Sequence, residues 1–349
     1  MGRQVNDIGK ALGRPVTSNE VARLAGVSQS TVSRVFSANS RVAGETTAKV
    51  MRAAKTLGYR PNVIARSLST RRTDMVGIVM AEITSPFYPY VLEKFTERLH
   101  ELGKRVLLFS TGPHHDVDET LQDVLKYQVD GLIIANATLS SALVSECAQR
   151  GTPLILFNRY VRGADASAVC CDNIAGGQLV AEMLWTAGHR RLAYIAGKPN
   201  TSTNVDRERG FRERLGELSG GSFLREQGEY TYQSGYDAAR RLLHSDDPPE
   251  AIFCANDITA LGAIDAARDG GIVIPDQISI VGFDDIPAAS WTAYNLTTVR
   301  QPINSMIDMS IRLLLERITA PELDPVITFV PGKWVQRGSA RLAIAERTL

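Results

Sequence analysis

The chain has 349 residues, 44% of them hydrophobic and 22% charged, with a formal net charge of +1. That composition excludes wholesale disorder, and the length leaves room for two or three domains. With no run of 18 apolar residues, no apolar leader core and only four scattered cysteines (Cys147, Cys170, Cys171 and Cys254), a cytoplasmic protein with reduced thiols is expected, not a membrane or exported one.

Residues 1–15 read as a flexible tail. The charge is unevenly spread. Residues 1–73 hold 13 Lys and Arg against Asp7, Glu20 and Glu45, an excess of ten positive charges. The remaining residues hold 26 basic and 35 acidic side chains, a deficit of nine. A basic head on an acidic body is the electrostatic footprint of a polyanion binder.

Within the head, "TSNEVARLAGVS" opens with a capping box, Thr17 followed by Glu20, and Val21, Leu24 and Ala25 supply an apolar face. Gly26 permits a sharp turn. In "GVSQSTVSRVF", Ser28 caps a second helix whose Val32 and Val35 face inward and whose Gln29, Ser30, Ser33 and Arg34 face outward. A third helix over about 45–57 turns Val50, Ala53, Ala54 and Leu57 inward and ends at Gly58, with Pro61 beyond. Residues 16–60 therefore read as a helix-turn-helix. Short side chains let its second helix sink into the major groove. Gln29 and Arg34 reach base edges there, and the hydroxyls of Ser28, Ser30, Thr31 and Ser33 meet phosphates or bases. A plain three-helix bundle is the alternative, and the charge excess argues against it.

Residues 61–73, "PNVIARSLSTRRT", suggest a short hinge helix and linker capped by Asn62. A small, basic, apolar-tipped helix suits a minor groove, with Asn62, Ala65 and Leu68 as its DNA-facing set and Leu68 wedged between base steps.

After Thr73 apolar strands alternate with helices: "MVGIVM", "RVLLFST", "VDGLIIAN", "TPLILFN", "RLAYIAG", "AIFCAND" and "ISIVGFDD" are separated by helical stretches. Such near-continuous apolar strands imply parallel sheets covered on both faces, here two doubly wound lobes. Ligands of such lobes sit at the carboxyl ends of strands. Phe87 and Tyr88 follow the first strand; Asn158 and Arg159, Asn256 and Asp257, and Asp284 and Asp285 end later ones; Arg207 lies near a helix start. Arginine, carboxylate and amides around an aromatic face suit a polyol, whose hydroxyls need both donors and acceptors. Singly, each of these residues reads more simply as a cap or turn. Asp284-Asp285 could also serve acid-base work, but a sugar contact plus a helix cap explains the pair.

The stretch from Ser18 to Leu68, with "KYQVDGLII", "GHRRLAYIAG", "AIFCANDITALGAIDAARDGGIVIPDQISIVGFDDI" and "LTTVRQP", resembles the LacI/GalR family of transcriptional repressors over almost all of 16–340. The resemblance implies a helix-turn-helix head and a periplasmic-binding-protein-like body of 74–349. Its first lobe would span about 74–170 and 303–332, its second about 171–302 and 333–340. It implies that Gln29 and Ser30 set base preference, that Arg34 contacts a base or phosphate, and that Leu68 intercalates. For the effector it implies Phe87, Asn158, Arg207, Asn256, Asp284 and Gln301, with Tyr230 at a position that often stacks on the ligand; Tyr88 joins them from the strand-end set. Asn19-Glu20 stands where the family often has Tyr-Asp, and Ser37 where it commonly has Asn. The implied protein is a homodimer on near-palindromic double-stranded operator DNA, controlled by a sugar-like small molecule and needing no cofactor. A purine-type corepressor is the alternative.

Two other classes compete. A sugar-transport protein would fit the body but not the basic head. An enzyme lacks support: there is no GxSxG, P-loop, HExxH or CxxC, and the five histidines lack metal-ligand spacing. Leu342 and Leu349 alone hold heptad spacing at the C-terminus, too little for a tetramerising coiled coil, so a dimer is expected.

Overall fold

The computed structural model describes residues 16–36, 42–60, 73–81, 83, 85–111, 117–135, 144, 146, 147, 149–219 and 222–341. The expected tail, Ser37, the hinge helix with Asn62, Ala65 and Leu68, and Leu342 and Leu349 lie outside the described residues. The chain divides into two compact units at Thr73.

The first unit holds α1 (Ser18–Ala25), α2 (Gln29–Val35) and α3 (Gly44–Leu57). Thr17 caps α1 in a complete capping box: its hydroxyl accepts from the Glu20 amide, and the Glu20 carboxylate accepts from the Thr17 amide at 2.7 Å. Gly26 closes α1 with a left-handed backbone, which a glycine adopts without Cβ strain, and turns the chain into α2. Val21, Ala22, Val32, Val50, Ala53 and Ala54 form the core, with Val35 and Leu57 packed at its edge. Leu24 departs from expectation, standing 50% exposed. Ala22 takes the inward place instead, because it lies one residue from Val21 on the face that meets α3.

The second unit contains two six-stranded sheets. The first is built from β1 (Met75–Ala81), β2 (Arg105–Thr111), β3 (Gly131–Ala135), β4 (Leu154–Phe157), β5 (Ser167–Cys171) and a late strand, β11 (Ile327–Val330). Its order is β11-β5-β4-β3-β1-β2, parallel throughout. The second uses β6 (Leu192–Ile195), β7 (Leu224–Glu226), β8 (Ala251–Cys254), β9 (Ser279–Asp284), β10 (Thr297–Arg300) and β12 (Lys333–Val335) in the order β12-β10-β9-β8-β6-β7. Only β12 runs antiparallel. The chain thus passes between sheets after β5, after β10 and after β11.

The helices are α4 (Phe87–Glu101), α5 (Val117–Leu125), α6 (Asn173–Thr186), α7 (Ser202–Ser219), α8 (Tyr232–Leu243), α9 (Asp257–Asp269) and α10 (Ile303–Thr319). α4 begins at Phe87, inside the stretch "AEITSPFYP" that reads as loop, because Pro89 falls in the first turn, where a missing N–H costs no hydrogen bond. Strands β3, β4, β5, β8 and β9 are buried along their whole length, as parallel strands covered on both faces must be. Cys170 and Cys171 point into different core clusters, and all four cysteines are buried free thiols. Burial pushes the Cys147 thiol up to about 11 and the Cys171 thiol up to about 12. α6 and α7 approach so closely that a Cβ at Gly177 would collide with the Arg207 carbonyl, and one at Gly210 with the Ile174 carbonyl. This contact brings Asn173, at the start of α6, beside Arg207 in α7.

Candidate DNA-reading face and ligand cleft

In the head, Ser28 caps α2: its hydroxyl accepts from the Thr31 amide at 3.2 Å and shares hydrogen bonds of 2.8 Å with the hydroxyls of Ser30 and Thr31. Gln29 donates to the Ser18 hydroxyl at 3.2 Å, and the Arg34 Nε donates to the Ser30 carbonyl at 3.3 Å. Ser28, Gln29, Ser30, Ser33 and Arg34 are all exposed on one face, while Thr31 is half-buried. The structure therefore brings the expected reading residues together and divides their labour. Ser28 and Thr31 are engaged in building the helix end. Gln29, Ser30, Ser33 and Arg34 form a low, polar, singly charged ridge. The first turn of α2 offers no acidic side chain that would repel phosphate.

In the body, strand ends of both sheets converge on a cleft with two chambers. The inner one, about 40 Å³, is lined by Ser85, Phe87, Tyr88, Asn158, Arg159, Thr203, Arg207, Tyr230, Asn256 and Asp284. The outer one, about 630 Å³, shares Phe87 and Asp284 and runs past Gln301, Asp285 and the start of α10. Seven of the eight expected effector residues line the inner chamber. Gln301 lies in the outer one and reaches Asp284 through its amide nitrogen at 2.7 Å.

Arg207 anchors the inner chamber. It is 2% exposed; its Nε donates to the Asn173 side chain at 2.8 Å, one terminal nitrogen donates to the Ala255 carbonyl, and the other donates to Asp284 at 3.3 Å. Its plane also sits 3.7 Å from the Phe283 ring centroid. Burial raises the Asp284 carboxyl above the usual carboxylate range, against the pull of the Arg207 charge. Burial also raises Asp257, reinforced by the charge of Asp284. Asp257 accepts from the Thr298 hydroxyl at 2.5 Å and from the Ile286 amide at 2.8 Å, so it braces the turn that carries Asp284. Burial likewise pushes the Tyr88 hydroxyl up to about 12, so it stays a neutral donor.

Among the described residues, two buried amide oxygens, on Asn158 and Gln301, have no hydrogen-bond partner. An unmet buried acceptor costs about 1–3 kcal/mol, which a hydroxyl-bearing ligand would recover. Asn158, Tyr230, Asp284 and Asp285 all hold positive φ, at 66°, 60°, 122° and 60°. Left-handed backbone at four non-glycine positions around one cleft is the clustering expected where a binding geometry is enforced. The Asn256 side chain caps α9 by accepting from the Thr259 amide at 3.1 Å, which leaves its NH₂ available to the chamber. The Tyr230 hydroxyl bonds Thr203 at 3.0 Å. Across the lobes, Tyr160 donates to Asp206 at 2.8 Å, and its amide donates to Ser202 at 3.2 Å.

One expectation is corrected. Asp285 caps no helix: its carboxylate is gripped by Arg300 at 2.5 Å and Arg337 at 2.6 Å. Ser85 and Thr203 line the inner chamber, and Asn173 holds Arg207 beside it, none of which was expected. Asn173 had a signal, because it follows "SAVCCD" at a strand end like the others. Ser85 and Thr203 had none. Among the described residues no helix is long and apolar enough to cross a membrane, and no group of three His, Cys, Asp or Glu could hold a metal ion.

Comparison with known proteins matches the geometry. A family model described as bacterial regulatory proteins, lacI family, matches residues 17–62, and one described as a periplasmic binding protein-like domain matches 181–340. The chain is 33% identical to the HTH-type transcriptional regulator GalS of Salmonella typhimurium, over 86% of this chain and 89% of GalS. A crystal structure of the lac repressor dimer bound to operator and the anti-inducer ONPF aligns with a TM-score of 0.86 at 26% identity, covering 95% of this chain and all of that one. A CelR–cellobiose complex aligns at 0.71 and 33% identity, covering 94% of this chain and all of that one.

Proposed function

The chain belongs to the LacI family of bacterial regulatory proteins, and from that premise we propose that it is a cytoplasmic, non-enzymatic repressor whose hold on DNA is set by a sugar-like effector. Two copies bind a near-palindromic operator, one head per half-site. Gln29, Ser30, Ser33 and Arg34 read bases and phosphates, and basic residues of the head supply salt-dependent affinity. Asn62, Ala65 and Leu68 add the minor-groove contact. The effector enters the cleft between the lobes, where Asn158, Arg207, Asn256 and Asp284 meet its hydroxyls and Phe87 and Tyr230 cover its ring. Binding selects one relative angle of the lobes and so shifts the population of DNA-competent dimer.

The observation that carries this reading is the pairing of an exposed, non-acidic polar ridge on α2 with a cleft whose buried amide oxygens lack donors. Selection of bound duplexes from a random DNA pool, followed by release with a panel of sugars, tests it. Recovery of a two-fold symmetric site that a sugar releases is expected. Recovery of no preferred sequence would overturn the DNA-reading role, and catalytic loss of a bound sugar would overturn the non-enzymatic one.

A further inference from the structure

We infer that the effector carries an anionic group, a carboxylate or a phosphate, held in the outer chamber while its hydroxyls occupy the inner one. The inference rests on the proposed effector role of the cleft and adds the ligand's charge.

Size is the first argument. Sites for small molecules usually enclose about 300–1,000 Å³. The inner chamber, at about 40 Å³, holds only part of a ligand of that size. Whatever fills it projects past Phe87 and Asp284 into the outer chamber of about 630 Å³.

Charge is the second. The two chambers are lined by five cations, Arg159, Arg207, Arg300, Lys333 and Arg337, and by only two carboxylates, Asp284 and Asp285. Arg159 aside, the cleft carries four cations against two carboxylates, an excess of two positive charges in a body whose sequence has a deficit of nine. Local pairing does not remove this excess. Arg207 and Asp284 neutralise each other, and Arg300 and Arg337 share the single carboxylate of Asp285, leaving one guanidinium charge over. Lys333 pairs with Arg300 through the β12 backbone, and its exposed side chain has no hydrogen-bond or ion-pair partner among the described residues.

Donor geometry is the third. The amides of Asn304 and Ser305 lie in the first turn of α10, where N–H groups have no intrahelical acceptor, and no side chain caps that end. Both residues line the outer chamber with the cations. Gln301 lines the same chamber, and its buried, unpartnered oxygen calls for a donor, which a hydroxyl of the same ligand would supply.

Calorimetric titration of the full-length protein with matched probes tests this: glucuronate and galacturonate, glucose 6-phosphate and ribose 5-phosphate, and the neutral parent of each. One acidic probe should bind about tenfold more tightly than its parent, the scale of one charge-assisted hydrogen bond. That preference should shrink as salt is raised and in Lys333→Gln. Preference for uronates alone would identify a carboxylate, and for sugar phosphates alone a phosphate. Equal or tighter binding of the neutral parents would overturn the inference, as would a preference untouched by Lys333→Gln. A neutral sugar that releases operator while its acids stay inert would sink the anion subsite and leave the proposed function standing. Operator binding with no response to either kind of sugar would sink both.

Discussion

The head and the cleft are built on opposite plans. The proposed reading face of α2 draws its side chains from seven consecutive residues, and a local cap, Ser28 with Thr31, sets its start. The cleft draws on residues from Ser85 to Arg337, delivered by strand ends of both sheets and braced by ion pairs between distant segments. A surface that must enter a groove can be laid along one helix. A chamber that must surround a small molecule needs walls from many elements. Damage should therefore stay local in the head and spread through the body in the cleft.

Arg207→Ala is the strongest test of that contrast. It leaves Asp284 buried without its ion-pair partner, so the body should lose about 3–5 kcal/mol of stability along with any effector response. Thermal unfolding of the variant measures this. An unchanged midpoint would show that the cleft tolerates local damage as the head does.

Arg34→Ala should cost about 1–3 kcal/mol of operator affinity and blur preference at one base pair, leaving the body's unfolding midpoint unmoved. Binding to a set of single-base operator variants checks it, and uniform weakening across the set would recast Arg34 as a phosphate contact.

A smaller loss, about 1 kcal/mol, is expected from Thr17→Ala, which removes the hydroxyl half of the α1 capping box. Amide exchange in the full-length protein should speed up in the head and not in the sheets. Faster exchange in both would mean that the two units are coupled in stability.

The smallest effect is one of pH. Asp257 has a carboxyl raised by burial, so the native state keeps its proton at pH values where the unfolded chain has released it. Stability from that site is full below the unfolded value and falls as pH rises through the native one. Asp257→Asn mimics the protonated form, and its amide can still meet the Thr298 hydroxyl and the Ile286 amide. Its stability relative to the parent should climb between about pH 4 and 8; a flat difference across that range would mean that the hydrogen bonds cancel the cost of burial.

The same contrast explains what could be read early. The capping box at Thr17, the cap at Ser28, the turn at Gly26 and the inward Val32 and Val50 are set by residues within a turn or two of each other, so local chemistry predicts them. Leu24 was misplaced because helical periodicity gives a stripe of positions but not which edge of that stripe α3 covers. The strand-end rule found Asn158, Asn256 and Asp284 because a parallel sheet presents every strand's carboxyl end to one side. It could not tell which of two adjacent aspartates would face the inner chamber.

By itself the sequence determined the charge division at Thr73, the three head helices, the alternation of buried strands with helices, and the residue types available for DNA and polyol contacts. Composition and short-range periodicity suffice for each of these. Only the tertiary structure decided that Asn173 would orient Arg207, that Arg300 and Arg337 would take up Asp285, and that Lys333 would stand at an anion-ready mouth. Those relations depend on sheet order and on the three passages of the chain between sheets, which bring together side chains 15 to 77 residues apart. No local pattern encodes that distance, because it is the packing of whole layers that closes it.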